Sequence, residues 1–189
     1  MPNSKSLDHA LQALRQAFFA YRNGVVAESL RRCDDPHKFI MGCQLADLIQ
    51  ITSGYPHDAE LAQTLWDDRQ HRECRLSATM LYPAEEMSAD TALRWARDVQ
   101  SIEEADILCH RLLRHTASAT SLWRTLIANE IPLLQYTALR LLLNLLIMKR
   151  ETDSGSIGHI LADSHLATFQ AITALRQSIE EEISGDSVY

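Results

Sequence analysis

The sequence predicts an all-α protein whose short helices stack as an α-solenoid. Hydrophobic residues make up 46% of its 189 residues, which is enough for a substantial core. Only 6 glycines and 5 prolines are present, which is few for the turns of a β protein. Apolar residues recur at spacings of three and four in one segment after another, and no segment shows the alternation of a half-buried strand. These observations together indicate helices throughout.

The first two helices follow directly from this periodicity. The first carries apolar residues at helical spacing: Leu7, Leu11, Leu14, Phe18 and Tyr21. Asn23 and Gly24 are typical helix breakers, so we expect this helix to end before them. Val25 to Arg32 then predicts a short second helix, which the run Asp34-Asp35-Pro36 ends.

Eight more helices are expected in the rest of the chain. The predicted ranges are 43–52, 58–67, 71–81, 88–98, 101–115, 117–128, 132–149 and 164–182. Ser88 is a favourable residue to begin the fourth of these, because its hydroxyl can cap free backbone N–H groups. The polar, glycine-containing segment 152–158 predicts a long mobile connection.

The arrangement of these helices is predicted from their length. Short helices joined by short connections come in pairs here, and each pair hides its apolar face by stacking on the next pair. We therefore predict one domain of stacked helical repeats over residues 1–189. A compact orthogonal helical bundle is the alternative architecture.

The lack of a recognisable targeting signal and the spacing of the cysteines predict the cellular compartment. The opening stretch MPNSKSLDHALQAL lacks the apolar centre of a secretory signal, and no run approaches the roughly 20 apolar residues of a membrane span. Cys33, Cys43, Cys74 and Cys109 lie far apart, without the C-x-x-C spacing of a zinc module. We expect reduced thiols, a cytoplasmic protein and no membrane partner.

The charge of −7 is unevenly distributed along the chain. Residues 92–150 carry 8 basic and 5 acidic side chains, whereas residues 1–91 carry 9 and 13, and residues 151–189 carry 1 and 7. Of the 18 Lys and Arg residues 15 are Arg, the side chain that forms planar, paired contacts to phosphate. The basic middle of the chain therefore permits a polyanionic ligand even though the whole chain is acidic.

Five segments, in a consistent order, resemble a known family. They are MGCQLADL (41–48), ELAQTLWDD (60–68), E-x-R-x-x-A-x-x-L (73–81), ILCHRLL (107–113) and QAITALRQ (170–177). The series is similar to the DNA alkylation repair family of the AlkD type, whose members are built from HEAT-like helical repeats. The resemblance implies HEAT-like repeats and a protein related to DNA glycosylases.

The same resemblance identifies positions where this chain departs from active members. Those enzymes excise N-alkylated purines with an Asp, neighbouring Trp side chains and an Arg that grips backbone phosphate. Aligned on Leu108-Cys109, His110 stands where the Asp is expected and Asp106 where a Trp is expected. The Arg pair falls near Gln135-Tyr136 and a second Trp falls on Ala174. The resemblance thus implies a family member without the recognisable catalytic residues.

Asp106 and His110 are the weak candidates for a catalytic pair. They lie one helical turn apart, so their side chains are on the same face. A solvated pair is the simpler interpretation, and a catalytic dyad stays open. Cys109 and His115 point elsewhere around the helix, so we expect no metal site. Cys109 is predicted to belong to the core.

Six residues of the basic middle are predicted to contact nucleic acid. Tyr136, Arg140 and Asn144 recur at four-residue spacing along an otherwise apolar helix, which predicts a polar stripe that contacts phosphate. The same side chains could instead satisfy groups of neighbouring helices. The full predicted set is Arg111, Arg114, Arg124, Tyr136, Arg140 and Asn144.

The three tryptophans and the acidic end have simpler structural roles. Trp66, Trp95 and Trp123 sit among apolar residues at helical spacing, so we predict core anchors rather than base-stacking platforms. Glu180-Glu181-Glu182 predicts a solvated acidic tail.

The leading functional prediction is a non-catalytic module that holds duplex DNA through its backbone. One alternative is an active N-alkylpurine DNA glycosylase with a rearranged site around Asp106 and His110. Another is a helical scaffold that binds a protein partner. No cofactor is expected, and the sequence leaves the oligomeric state open.

Overall fold

The computed structural model describes residues 4–185 and confirms the all-α prediction. Within that range the β pairing consists of an isolated bridge between Phe39 and His71. The α-helices, numbered α1 to α11 in chain order, are Ser4–Ala20, Gly24–Arg32, Leu45–Thr52, Ala59–Asp67, Arg72–Leu81, Ala89–Arg97, Ile102–Arg111, Ala119–Ile127, Pro132–Ile147, Ser154–Asp163 and Gln170–Gly185. Short 3-10 turns occupy Ala84–Glu86 and Leu113–His115.

These helices belong to two compact units, the first ending at Glu86 and the second beginning at Met87. Helices α1 to α5 belong to the first unit, and α6 to α11 belong to the second. None of the helices in the described range combines the length and the apolar character that a membrane span needs.

In the first unit, α4 packs closely on α5, and α3 and α1 complete the core. A buried carboxylate organises the entry into α3: Glu73 accepts hydrogen bonds from the backbone N–H of Met41 at 3.1 Å and of Gly42 at 3.0 Å. Arg75 is fully buried, with its guanidinium carbon 3.6 Å from the centre of the Trp66 ring. The Glu and Arg of the E-x-R pattern in α5 therefore stabilise the core of this unit through buried contacts.

In the second unit, α9 is the central helix, and α7, α8 and α11 pack against it. Its apolar composition explains this position, because a helix that is hydrophobic nearly all round must be covered on most sides. Pro132 occupies its first turn, where no backbone N–H partner is lost. Trp95 and Trp123 are fully buried in this unit, and Trp66 is buried in the first, so all three are core residues as predicted.

Polar caps set the beginnings of the helices that carry the site. The Ser88 hydroxyl accepts from the N–H of Thr91 at 3.1 Å, which confirms the predicted start of α6. The Ser101 hydroxyl accepts from the N–H of Glu104 at 3.1 Å and begins α7 in the same way. The Ser88 cap was predicted from the sequence, whereas Ser101 was predicted only as the start of its helix range.

The predicted connection at 152–158 is wrong, because residues 154–163 form α10. The Asp153 carboxylate accepts from the N–H of Ser156 at 3.0 Å, and Ile157 and Leu161 are buried. Their burial and this cap outweigh the low helix preference of two glycines. The polar composition of the segment reflects its exposed face.

Two predicted helix ends also differ. The helix expected over 101–115 ends at Arg111, and a 3-10 turn follows after Leu112. The helix expected over 164–182 begins at Gln170, and the side chain of Gln135 hydrogen-bonds the backbone of His165 and Ala167 in the segment before it. The second difference accompanies hydrogen bonds from Gln135 of α9, which local periodicity does not report.

Candidate nucleic-acid interface

Asp106, Tyr136 and Arg140 form a hydrogen-bonded network between α7 and α9. The Tyr136 hydroxyl donates to Oδ1 of Asp106 at 2.7 Å, and Nε of Arg140 donates to the same oxygen at 2.6 Å. Nη2 of Arg140 also donates to the Tyr136 oxygen at 3.0 Å. Because Tyr136 and Arg140 are one turn apart on α9, the packing of α7 on α9 brings all three groups together.

The electrostatics of this network keep Tyr136 neutral and Arg140 charged. Burial raises the pKa of Tyr136 to about 12, and the Asp106 carboxylate acts in the same direction. Burial alone would lower the pKa of Arg140, but the hydrogen bond to Tyr136 and the charge of Asp106 outweigh it and raise this pKa. The result is a paired carboxylate whose charge a neighbouring guanidinium balances.

His110 lies one turn beyond Asp106 but belongs to a different group of charges. Its side chain is exposed, and within residues 4–185 no hydrogen bond joins it to Asp106. Partial burial lowers the pKa of His110, and the charges of Arg114 and Arg111 lower it further. At neutral pH its imidazole is therefore uncharged, and the structure contains no Asp–His dyad at these positions.

Five side chains gather near the end of α7 and form what we call the cationic cluster: His110, Arg111, Arg114, His115 and Arg150. Nε of Arg114 donates to Nε2 of His115 at 3.1 Å, which requires His115 to be unprotonated on that nitrogen. The charges of Arg114 and Arg150, after partial burial, lower the pKa of His115. Even the pKa of Arg114 is lowered, by burial and by Arg111.

Hydrogen bonds from Arg150 hold this cluster at the turn that follows α7. Its guanidinium donates to the carbonyl oxygens of Arg114 and of Thr116, the latter at 3.2 Å. Those carbonyls belong to the 3-10 turn that follows α7 and to its C-cap, so the end of α9 is tied to the end of α7. Among the described residues no acidic side chain pairs with a member of the cluster, and Nε of Arg111 is buried without a partner.

Arg124, another arginine predicted to contact phosphate, forms an ion pair. Its Nη1 lies 2.9 Å from Oε2 of Glu151, and its guanidinium carbon lies 4.7 Å from the centre of the Trp123 ring. The Trp123 indole donates to the same Glu151 oxygen at 3.2 Å. Arg124 keeps a third of its side chain exposed, so part of its guanidinium still faces solvent.

The polar stripe of α9 is less accessible than its spacing indicated. Tyr136 is 3% exposed and Asn144 is 8% exposed, whereas the Arg140 side chain is 29% exposed. The Nδ2 group of Asn144 is buried without a hydrogen-bond partner in the structure. Of the three, only Arg140 presents a donor-bearing group to solvent.

The remaining reactive or charged residues named in the sequence analysis have structural roles. Cys109 is buried, its thiol donates to the carbonyl of Thr137 at 3.4 Å, and burial raises its pKa above the ordinary thiol range. It is a core residue, as predicted. Residues 180–182 lie on α11, where Glu180 pairs with Arg176 at 2.8 Å. Over the described chain no three His, Cys, Asp or Glu side chains are placed to hold a metal ion.

Sequence reasoning missed Arg150, Gln135 and Phe169. Lys149-Arg150 at the end of an apolar helix was a readable signal, since cations commonly follow the last turn of a helix. A glutamine inside the apolar run of α9 was another, because a buried amide requires partners. Phe169 carried no such signal.

Over residues 4–185 the fold is all-helical, and the cationic cluster of the second unit has no acidic partner within that range. Comparison with protein families places the chain further: the family described as DNA alkylation repair enzyme matches residues 14–167. The chain therefore belongs to that family, as its sequence motifs predicted. Neither the search of curated proteins nor that of solved structures found a match.

Proposed function

We propose that this protein is a non-catalytic member of the DNA alkylation repair family that holds nucleic acid through its backbone phosphates. The observation that carries the proposal is the cationic cluster, whose arginines have no acidic partner among the described residues. Like charges held this close together repel one another, and a bound polyanion relieves that repulsion.

Arg111 and Arg114 are the principal phosphate contacts in this proposal. Arg124 and Arg140 contribute beside them, because each guanidinium has five N–H donors and its ion pair occupies only some of these. Tyr136 and Asn144 are buried, so their role is to position the α9 stripe rather than to contact phosphate themselves.

The state of Asp106 supports the absence of glycosidic cleavage. Loss of an alkylated base leaves positive charge on the sugar, which a free carboxylate stabilises. Position 110 holds a histidine, and the Asp106 carboxylate already balances the charge of Arg140 at 2.6 Å. Neither residue offers an uncompensated negative charge to the sugar.

The test is a titration of labelled duplex DNA at several salt concentrations. Each phosphate contact contributes about −0.9 to the slope of log K against log salt, so we expect a steep slope and little dependence on base sequence. Arg111→Gln and Arg114→Gln should each reduce the magnitude of the slope by about one. Arg32→Gln is the matched control, since Arg32 is an exposed helix arginine of the first unit paired with Glu28.

Two results would overturn the proposal. Failure to bind at the lowest salt, or an unchanged slope in both cluster variants, would favour a helical scaffold for a protein partner. Multiple-turnover release of alkylated base would instead establish an active glycosylase with a rearranged site.

A further inference from the structure

A second feature of this unit is a cavity of about 280 Å³ beside the first turns of α7 and α9. Most of its lining is apolar or aromatic: Ile102, Pro132, Leu133, Tyr136 and Phe169. The polar residues that line it are Gln100 and Ser101, at the start of α7. Its volume lies just below the roughly 300–1,000 Å³ typical of small-molecule sites, so it suits a group of about one ring system.

One aromatic wall of this cavity is held rigid by the Asp106 network. Tyr136 is 3% exposed, and its hydroxyl is fixed between the carboxylate of Asp106 at 2.7 Å and the guanidinium of Arg140 at 3.0 Å. The ring therefore keeps one position without a ligand. A surface that is already ordered loses little conformational freedom when it binds.

The segment that precedes α11 and carries Phe169 is positioned by Gln135, which is 2% exposed. Its amide nitrogen donates to the carbonyls of Asn129 and His165, both at 2.9 Å, and its amide oxygen accepts from the N–H of Ala167 at 2.8 Å. These bonds hold the segment before α11 against the start of α9. That placement brings Phe169, 48% exposed, to the cavity.

The cavity is linked to the cationic cluster through Tyr136 and its hydrogen-bond partner Arg140. Tyr136 lines the cavity, its partner Arg140 contributes to the lowered pKa of His110, and Arg111 and Arg114 act on that same histidine. Along α7, residue 101 and residue 111 are separated by about 15 Å at 1.5 Å per residue. That distance corresponds to roughly four phosphates of a stacked strand at 3.4 Å each.

We propose that this cavity binds a single unstacked nucleobase while the cationic cluster holds phosphates of the same strand. Aromatic walls accept the face of any base, so the site would favour DNA with an unpaired nucleotide without reading its sequence. The inference rests on the proposed nucleic-acid function and shares Tyr136 with it, but no member of the cationic cluster lines the cavity. Neither Asp106 nor Ala174, the positions of the family's tryptophans, lines this cavity.

The first experiment measures the affinity of the full-length protein for three DNA duplexes. One duplex is fully paired, one has a one-adenine bulge, and one has the same bulge without its base. We expect the adenine bulge to bind at least about fivefold more tightly than the other two, since stacking on an aromatic side chain contributes at least that factor. Phe169→Ala should abolish the difference and Phe169→Tyr should keep it. Phe19→Ala, at an exposed phenylalanine of the first unit, is the matched control.

The second experiment uses free 2′-deoxyadenosine up to about 10 mM, which detects affinities in the millimolar range. We expect chemical-shift changes at the methyl groups of Ile102 and Leu133 that Phe169→Ala removes. Because this probe has no phosphate, it tests the cavity independently of the cluster. N-acetyl-phenylalaninamide is the competing probe for an amino-acid side chain of a protein partner.

The outcomes separate the two proposals. Phosphate-dependent binding without a base preference, and no response to deoxyadenosine, would overturn the cavity proposal and leave the backbone proposal intact. A response to deoxyadenosine without any DNA binding would do the reverse. A response to the phenylalanine probe alone would assign the cavity to a protein side chain and overturn our inference.

Discussion

Arg140 of α9 and Asp106 of α7 are joined through one carboxylate oxygen, with Nε of the arginine 2.6 Å from Oδ1 of the aspartate. Arg140 is the one predicted phosphate contact on the α9 stripe that faces solvent. Asp106 is the candidate catalytic carboxylate, so the ion pair links these two predicted roles. Each residue therefore limits what the other can do, since Arg140 balances the charge that catalysis would need and Asp106 balances the charge that DNA binding would use.

Replacing Asp106 with Asn should strengthen DNA binding. The substitution frees the Arg140 charge, so we expect tighter duplex binding and a salt slope larger in magnitude by up to about one. Stability should fall by no more than about 1 kcal/mol, because both side chains are partly exposed. Glu28→Gln, which frees Arg32 in the first unit, is the control. An unchanged affinity would show that Arg140 does not contact the ligand.

Purified protein should release no free base from duplex DNA that carries N3-methyladenine or N7-methylguanine. The reason is the histidine at position 110 together with the compensated charge of Asp106. His110→Asp alone should not restore release, since positions 106 and 174, where the resemblance implies tryptophans, hold Asp and Ala. Release above a buffer control, lost in Asp106→Asn, would contradict this prediction. Chromatography of the supernatant measures it.

DNA binding should strengthen as the pH falls from 7.5 to 5.5. His110 and His115 have pKa values below the ordinary 6.5 because of partial burial and nearby arginines. Arg111, Arg114 and Arg140 act on His110, Arg114 and Arg150 act on His115, and the charge of His115 also lowers the pKa of His110. A bound polyanion offsets that repulsion and raises both pKa values, so binding takes up protons.

The lowered pKa values of His110 and His115 predict the opposite pH dependence for the folding stability of the free protein. Below 6.5 the unfolded chain binds protons on these histidines more readily than the folded one, so folding stability falls with falling pH in that window. The variant His110→Gln/His115→Gln should lose both effects. A pH dependence of DNA affinity that survives in the double variant would assign it to other groups.

Gly42→Ala should destabilise the first unit by at least about 2 kcal/mol. Gly42 has a φ of +79°, and a Cβ there would lie 2.2 Å from the carbonyl oxygen of Asn23. Gly158→Ala is the matched control, because a Cβ at that position of α10 meets nothing within 4 Å. That control should gain about 0.5–1 kcal/mol from its better helix preference. Urea unfolding of both variants measures the difference, and equal effects would contradict the assigned backbone strain.

The periodicity of apolar residues predicted most of the fold correctly, and it failed where a contact distant in sequence decides the local structure. Helices α1 to α6 and α9 lie close to their predicted ranges because their patterns and caps are local. α10 was missed, since its stability depends on burying Ile157 and Leu161 rather than on the preferences of its own residues. The 3-10 turn that follows α7 likewise receives hydrogen bonds from Arg150, which lies 39 positions after Arg111.

The helical class, the family and the core role of the tryptophans follow from the amino-acid sequence without any coordinates. Each of these depends on residue type and near-neighbour spacing, which a sequence states directly. Which cations are balanced follows from the packing of the helices: Asp106 pairs with Arg140 and Glu151 with Arg124, whereas no acidic side chain among residues 4–185 pairs with Arg111 or Arg114. Pairing of charges depends on distances of a few ångströms between different helices, and no spacing along one helix specifies those distances.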